Sequence, residues 1–140
     1  MSFTAEKQHQ SDGRTSVLYR VPYADTDQMG VVYYGNYLVL FERSRNELLR
    51  VTGFTYSTME ARGMGLPVIE AHVDYKSPAF YDDLLEITGR VTRARGYRIR
   101  IDCEVWRGEQ LLATGYTVHC CIDLQTRKPT RIPPEIDEVQ

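Results

Sequence analysis

Apolar and polar residues alternate along this chain with two different periods, and the change of period divides it. In residues 16–21, "SVLYRV", Val17, Tyr19 and Val21 oppose Leu18 and Arg20, the period of two of a half-buried strand. Residues 36–53, "NYLVLFERSRNELLRVTG", switch to a helical period. Leu38, Phe41, Leu48, Leu49 and Thr52 fall on one side, with Tyr37 and Leu40 widening that face. Gly53 reads as a left-handed cap, and Phe54 as a residue that folds back onto the last turn. Residues 54–67, with Gly63, Gly65 and Pro67, read as a loop or short helical turn.

Period two then returns four times. Residues 68–75 set Ile69, Ala71, Val73 and Tyr75 against Glu70, His72 and Asp74. Residues 84–93 set Leu85, Ile87 and Val91 on one side. Residues 97–106 oppose Tyr97, Ile99, Ile101, Cys103 and Val105 to Arg98, Arg100, Asp102 and Glu104. Residues 111–122 set Leu112, Thr114, Tyr116, Val118, Cys120 and Ile122 on one side. The turn signals "SPAFYDD", "ARG" and "RGEQ" separate these runs. Short connections favour antiparallel neighbours. A lone helix with so wide an apolar face needs a sheet to cover it. The expected class is therefore α+β, with one antiparallel sheet curled around one long helix. The other sheet face carries Arg98, Arg100 and Glu104 and should meet water or a polar interface. Edge strands remain open, and a second copy would cover one of them.

Composition narrows the function classes. A chain of 140 residues suits one domain, expected over 15–134 between a polar tail at 1–14 and a short tail at 135–140. A formal net charge of −2 suggests neither a nucleic-acid partner nor an anionic membrane. No apolar run is long enough to insert in a bilayer, and the first residues lack a signal-peptide core, so the expected location is cytoplasmic. Cys103, Cys120 and Cys121 make a poor disulfide framework and include no CxxC spacing. They read as small thiols on strands.

The chemistry-bearing stretch is residues 23–38, "YADTDQMGVVYYGNYL". A calcium loop counted from Asp25 would put Met29 at a ligand position and Asn36 where a bidentate glutamate belongs. His9, His72 and His119 share no spacing with Asp27, so no metal site is supported. Aspartates before helices commonly make turns and caps, and Asp25 reads that way. Asp27 is too far upstream to cap a helix that begins near residues 34–36. That helix start, "YGNYLVLF", carries no acid before Glu42, so its free N–H groups face no charged side chain. Such an end suits a developing oxyanion. Gly30 allows a sharp turn between carboxylate and helix, and Gly35 removes a side chain from the approach. A carboxylate on one side and an oxyanion site on the other describe acyl transfer.

These residues, with "FERSRNELLR" at 41–50, resemble the signature of the hot-dog-fold acyl-CoA thioesterases of the hydroxybenzoyl-CoA type, especially the bacterial branch linked to the Tol–Pal envelope system. The resemblance continues in "VDYKSPAFYDDLLEI" (73–87), "RARG" (93–96) and the block around "KPTRIP" (128–133), and spans roughly residues 16–134. It implies a long helix wrapped by a five- to six-stranded antiparallel sheet. It also implies edge-to-edge homodimers, often paired into homotetramers, with active sites at the dimer interface. In that family the second aspartate of the D-x-D pair, Asp27 here, is the nucleophile or general base. A backbone N–H at the helix start, at Tyr34 here, polarises the thioester oxygen. Many members of the envelope-linked branch have histidine at this place, and the hydroxybenzoyl relatives have tyrosine. Arg93, Arg95, Lys128 and Arg131 fall in blocks resembling the nucleotide-contacting regions. The substrate would be an acyl-CoA, with an acyl-carrier protein as another acyl donor, and no cofactor would be required.

Two other readings remain at this stage. A hydratase or dehydratase on the same fold needs a histidine at the substrate, and residues 23–42 contain none. A non-catalytic acyl-CoA or acyl-carrier-protein binding module would not need the Asp27–Gly30–Tyr34 layout. Tyr33, Tyr34, Tyr37 and Phe41 suit either an aromatic acyl pocket or ordinary core.

Overall fold

One long helix and five strands set the architecture in the computed structural model, which describes residues 13–137. Strand β1 (Thr15–Arg20) leads through a 3₁₀ turn at Tyr23–Asp25 into α1 (Asn36–Val51). A short helix, α2 (Tyr56–Ala61), and a two-residue strand, β2 (Met64–Gly65), precede β3 (Val68–Tyr75), β4 (Leu84–Arg95), β5 (Arg98–Arg107) and β6 (Gln110–Cys120). β7 (Ile122–Asp123) pairs with β2, and α3 (Pro134–Asp137) follows. The five long strands form one antiparallel sheet in the order β1–β4–β5–β6–β3. This is the expected α+β arrangement. The tail expected at 1–14 lies outside the described residues except for Gly13 and Arg14. That expected at 135–140 lies outside them beyond Asp137, and within them Ile136 is buried.

The helix ends as its sequence predicts. Gly53 takes a φ of +77°. Its N–H donates to the Arg50 carbonyl at 3.0 Å, and the Phe54 N–H to the Leu49 carbonyl at 3.2 Å. This paired closure satisfies two orphan carbonyls. Phe54 is buried beneath the last turn, which contributes about 1.5–3 kcal/mol relative to exposure.

The buried face of α1 differs in part from the one expected. It consists of Tyr37, Leu40, Phe41, Ser44, Arg45, Leu48 and Leu49, whereas Leu38 is 41% exposed on the flank. Ser44 is small because Gly89 of β4 lies directly beneath it. A Cβ on Gly89 would sit 3.0 Å from Ser44 Oγ. A Cβ on Gly115 of β6 would collide with the Phe41 ring and the His72 carbonyl. The helix therefore crosses the sheet over two glycines that allow close approach.

That approach also corrects the phase read for β6. The residues facing α1 are Ala113, Gly115, Thr117 and His119, level with Val105, Cys103, Ile101 and Ile99 of β5. Tyr116 points to the outer face, where Arg100 lies 3.8 Å over its ring and its hydroxyl donates to Glu70 at 2.6 Å. Gly115 must lie beneath Phe41, so Thr114, Tyr116 and Val118 take the other side, whereas Leu112 near the start of the strand is buried in the core. The three cysteines are free thiols, and burial pushes Cys103 up to about 12 and Cys121 up to about 11.

His119 is fully buried, with its ring nitrogens 3.0 Å from the Leu66 carbonyl and 2.9 Å from Thr117 Oγ1. Arg45 is buried too, and its Nε donates to the Tyr56 hydroxyl at 2.7 Å. Burial above all, with the Arg45 charge adding, lowers the His119 imidazole from 6.5 to about 4. The fold thus holds the neutral ring. Its contribution is complete above the unfolded value and is lost as pH falls toward the folded one, on the order of 3 kcal/mol in all. Urea midpoints should therefore fall more steeply between about pH 7 and about pH 4.5 in the native chain than in His119→Gln, whose amide does not titrate in that range. Parallel slopes would remove His119 from the acid response.

Candidate active site

A tight turn presents Asp27 next to the start of α1. Thr26 pairs with Val32 as an isolated antiparallel bridge. Inside it, the Asp27 N–H donates to the Val31 carbonyl and the Gly30 N–H to the Asp27 carbonyl, both at 2.9 Å. Gly30 makes this reversal at a φ of +80°. The Met29 N–H donates to Asp27 Oδ1 at 2.8 Å, which fixes the side chain by one oxygen. The half-buried carboxylate lines a cavity of about 340 Å³ together with Val32, Tyr34, Tyr37, Tyr75 and the segment 76–78.

Asp25 does a different job. Its Oδ2 accepts the Tyr19 hydroxyl at 2.5 Å. Its carbonyl accepts the Tyr33 N–H at 2.9 Å and the Asn36 side-chain amide at 3.0 Å. Burial first, and the Asp25 carboxylate second, hold the Tyr19 phenol above its ordinary value. Asp25 thus ties β1, the loop and the first residue of α1 together, as its turn-making reading predicts.

The first turn of α1 contains no acid, and the Ncap residue Gly35 makes no side-chain cap. The Asn36 and Tyr37 amides donate back to the Tyr33 and Tyr34 carbonyls at 2.9 and 3.3 Å. Among the described residues, the amides of Tyr34 and Gly35 have no acceptor. A Cβ on Gly35 would lie 3.0 Å from the Tyr33 ring, so the glycine leaves room for that ring. The Tyr75 hydroxyl donates to the Tyr34 carbonyl at 2.8 Å and pins the helix start to the end of β3. Tyr33 is raised chiefly by the Tyr34 hydroxyl, with the Asp27 charge a smaller cause. Of the four aromatic candidates, Tyr34 and Tyr37 line the cavity, whereas Phe41 is core.

The structure gathers the basic candidates unevenly. Arg93 and Arg95 join Arg98, Arg100 and Glu70 around a second cavity of about 350 Å³. Arg100 is paired with Asp102 at 2.8 Å. Among the described residues, Arg93, Arg95 and Arg98 have no carboxylate partner. Lys128 and Arg131 are exposed and line neither of these cavities, although their segment touches the β4–β5 turn through the Ile132 N–H and the Gly96 carbonyl, 2.9 Å apart. Tyr75 on the first cavity and Glu70 on the second lie on the same strand, about 17 Å apart at an extended rise. Residue periodicity missed Arg98, Tyr75 and the 76–78 wall, because each read as an ordinary strand or turn position. Among the described residues, no group of three or more His, Cys, Asp or Glu side chains gathers as metal ligands. No described helix is long and apolar enough to cross a membrane.

The model of the thioesterase-like superfamily matches residues 21–140. The chain is 36% identical over 126 residues to the acyl-CoA thioesterase YbgC of Haemophilus influenzae, covering 89% of this chain and 93% of that protein. It is 30% identical over 120 residues to a 1,4-dihydroxy-2-naphthoyl-CoA hydrolase of Synechococcus elongatus, covering 84% and 88%. Among solved structures, a DHNA-CoA thioesterase from Staphylococcus aureus superimposes with a TM-score of 0.84 at 32% identity, covering 90% of this chain and 87% of that one.

Gly30 offers a test of the turn itself. Nothing lies within 4 Å of a Cβ built there, so a substitution meets only the left-handed backbone. Gly30→Ala should cost about 1 kcal/mol of stability, and Gly30→Asn less, because asparagine tolerates that region. Urea unfolding checks both, and equal losses would point to a side-chain clash instead.

Proposed function

The chain belongs to the thioesterase-like superfamily and is an acyl-CoA thioesterase of the hot-dog fold, and we propose that Asp27 is its reacting carboxylate. The observation that carries this reading is one cavity holding both Asp27 and Tyr34, whose N–H lacks an acceptor among the described residues. A thioester carbonyl placed there meets the Tyr34 and Gly35 amides as negative charge grows on its oxygen. Asp27 either adds to the carbonyl carbon, giving a mixed anhydride that water then hydrolyses to free acid and the restored carboxylate, or removes a proton from the water that adds. In both routes the carbon–sulfur bond breaks and coenzyme A leaves as a thiolate, a good leaving group that needs no triad. Tyr34, Tyr37 and Tyr75 suit a compact or aromatic acyl group. That lining, and tyrosine rather than histidine at position 34, favour the hydroxybenzoyl-CoA side of the family over its Tol–Pal-linked branch.

The rest of the substrate fits a second copy of the chain. β3 is the sheet's edge, with Val68 and Ile69 exposed, and Leu38 and Val39 are exposed on α1. Antiparallel pairing of two β3 edges would place the Val68 end of one copy beside the Tyr75 end of the other. The Arg93–Arg95–Arg98 cavity of one protomer, on the outer sheet face with Glu70, then comes to the same seam as the Asp27 cavity of the other, on the helix face, and its guanidinium groups suit the phosphates of a coenzyme A threaded across that seam. This supports a homodimer at least. An acyl-carrier protein, whose thiol arm bears a single phosphodiester, uses less of that charge and is the weaker donor in this reading.

The hydratase reading is disfavoured by where the histidines lie. His119 is locked in the core, and His72 sits on the outer face, 3.2 Å from Asp74 and stacked on Tyr116. A panel of benzoyl-, acetyl- and isobutyryl-CoA assayed for free thiol tests the proposal. Asp27→Asn should remain folded and lose turnover by about a hundredfold or more, the scale seen when a preorganised catalytic group is removed. Wild-type-like hydrolysis by Asp27→Asn sinks the assignment. Tight acyl-CoA binding without thiol release by the native chain would favour a binding module.

A further inference from the structure

One cation close to the site has no part in the mechanism above. Arg107, at the end of β5, does not line the Asp27 cavity. Its Nη1 lies 2.6 Å from Asp83 Oδ2 and donates to the Pro78 carbonyl at 3.2 Å. Its Nη2 donates to Gln110 Oε1 at 2.8 Å, and Gln110 reaches Ser77 Oγ at 3.3 Å. The same Asp83 oxygen accepts the Phe80 N–H at 2.8 Å. Every partner belongs to segment 77–83 or leads to it.

That segment has no helix or strand of its own, and it holds Asp82 at a φ of +70°, which side-chain-bearing residues seldom adopt. Its shape therefore depends on external ties. It touches the site in two ways. Ser77 and Pro78 form part of the cavity wall. The Ala79 carbonyl accepts the Val32 N–H at 2.8 Å, and Phe80 bridges to Val31, whose carbonyl accepts the Asp27 N–H at 2.9 Å. Bonded contacts thus run without a break from the Arg107 guanidinium to the Asp27 backbone.

We infer that Arg107 is a positioning residue: its guanidinium fork sets segment 77–83, and through Val31 and Val32 it seats the Asp27 turn against the helix start. The inference rests on the reading of Asp27 as the reacting carboxylate. Exposed ion pairs usually matter little. Here the two side chains are only 29% and 22% exposed, and the fork holds a carboxylate, a carbonyl and an amide at once. A lysine has one donor centre and could keep Asp83 while releasing Pro78 and Gln110. Small displacements of a reacting group carry large rate penalties, so the effect belongs in kcat.

The test measures thiol release from the best substrate of the acyl-CoA panel, with native protein, Arg107→Lys, Arg107→Ala and Asp27→Asn, each first shown to be folded by circular dichroism. Arg107→Ala should lose about tenfold or more in kcat with KM within about twofold, and Arg107→Lys should fall between it and the native chain. Millimolar guanidinium should restore part of the Arg107→Ala rate and none of the Asp27→Asn rate. Native kcat in Arg107→Ala overturns the positioning role while leaving Asp27 in place. So does a loss confined to KM, or the absence of guanidinium rescue. Should Arg107→Ala not fold, native kcat in Arg107→Lys overturns the role by itself. Activity in Asp27→Asn overturns the reading beneath it.

Discussion

The close crossing of α1 over the sheet is the constraint on which the rest of the structure depends. Phe41 rests on Gly115 and Ser44 on Gly89, with no room for a Cβ at Gly115 and little at Gly89. Interiors are packed too tightly for the helix to slide when its contact positions are this short of space. Its axis is therefore set, and so is the position of its first residues relative to β3 and to the loop that follows β1. The amides of Tyr34 and Gly35, without an acceptor among the described residues, lie where they do because a phenylalanine and a serine further along the same helix fit two glycines.

With Asp27 proposed as the reacting carboxylate, the D-x-D pair divides structure from chemistry within one short motif. Both residues are acidic and both sit in the same loop, yet their hydrogen bonds separate them. Asp25 spends its carboxylate on Tyr19, and its carbonyl on Tyr33 and Asn36. Asp27 gives one oxygen to the Met29 amide and stays on the cavity wall. The first aspartate fixes the distance between loop and helix, and the second uses the gap so created. Exchanging their roles would require the chain to reverse two residues earlier, away from Gly30.

Much of the fold was legible because its signals are local. The bounds of α1, its Gly53–Phe54 closure and the placing of the strands follow from period, cap and turn chemistry within a few residues of each feature. The errors share one cause. Leu38 and the outward set of β6 were read by apolarity, whereas burial on those elements is decided by how closely the helix and the sheet approach. Gly115, Thr117 and His119 look less apolar than Tyr116 and Val118, but Gly115 alone fits beneath Phe41, and the strand's alternation then turns Thr117 and His119 inward, where they bond each other and the Leu66 carbonyl. At the candidate site, the nearness of Asp27 to the helix start across Gly30 was legible because all three fall within one short stretch. Arg98 and the 76–78 wall were not, because pairing across the sheet brings them to the cavities and no short motif records that.

On the proposed reading, the two cavities make one protomer an incomplete account of the chemistry. An acyl thioester and the phosphates of coenzyme A are separated by the pantetheine arm, so a site for the whole substrate must be long. Within one chain the carboxylate cavity and the arginine cavity meet opposite ends of β3, one touched by Tyr75 and the other by Glu70. In the proposed homodimer, an antiparallel two-fold axis across that strand's open edge would exchange its ends and bring each arginine cavity, on the outer face, to the same seam as the other protomer's carboxylate, on the helix face. An edge strand is ordinarily a hazard that a protein blunts with charge or proline. β3 carries Glu70 and Asp74 and follows Pro67, yet Val68 and Ile69 stay exposed on it, and the same edge, if covered by a second copy, is what would lengthen the site.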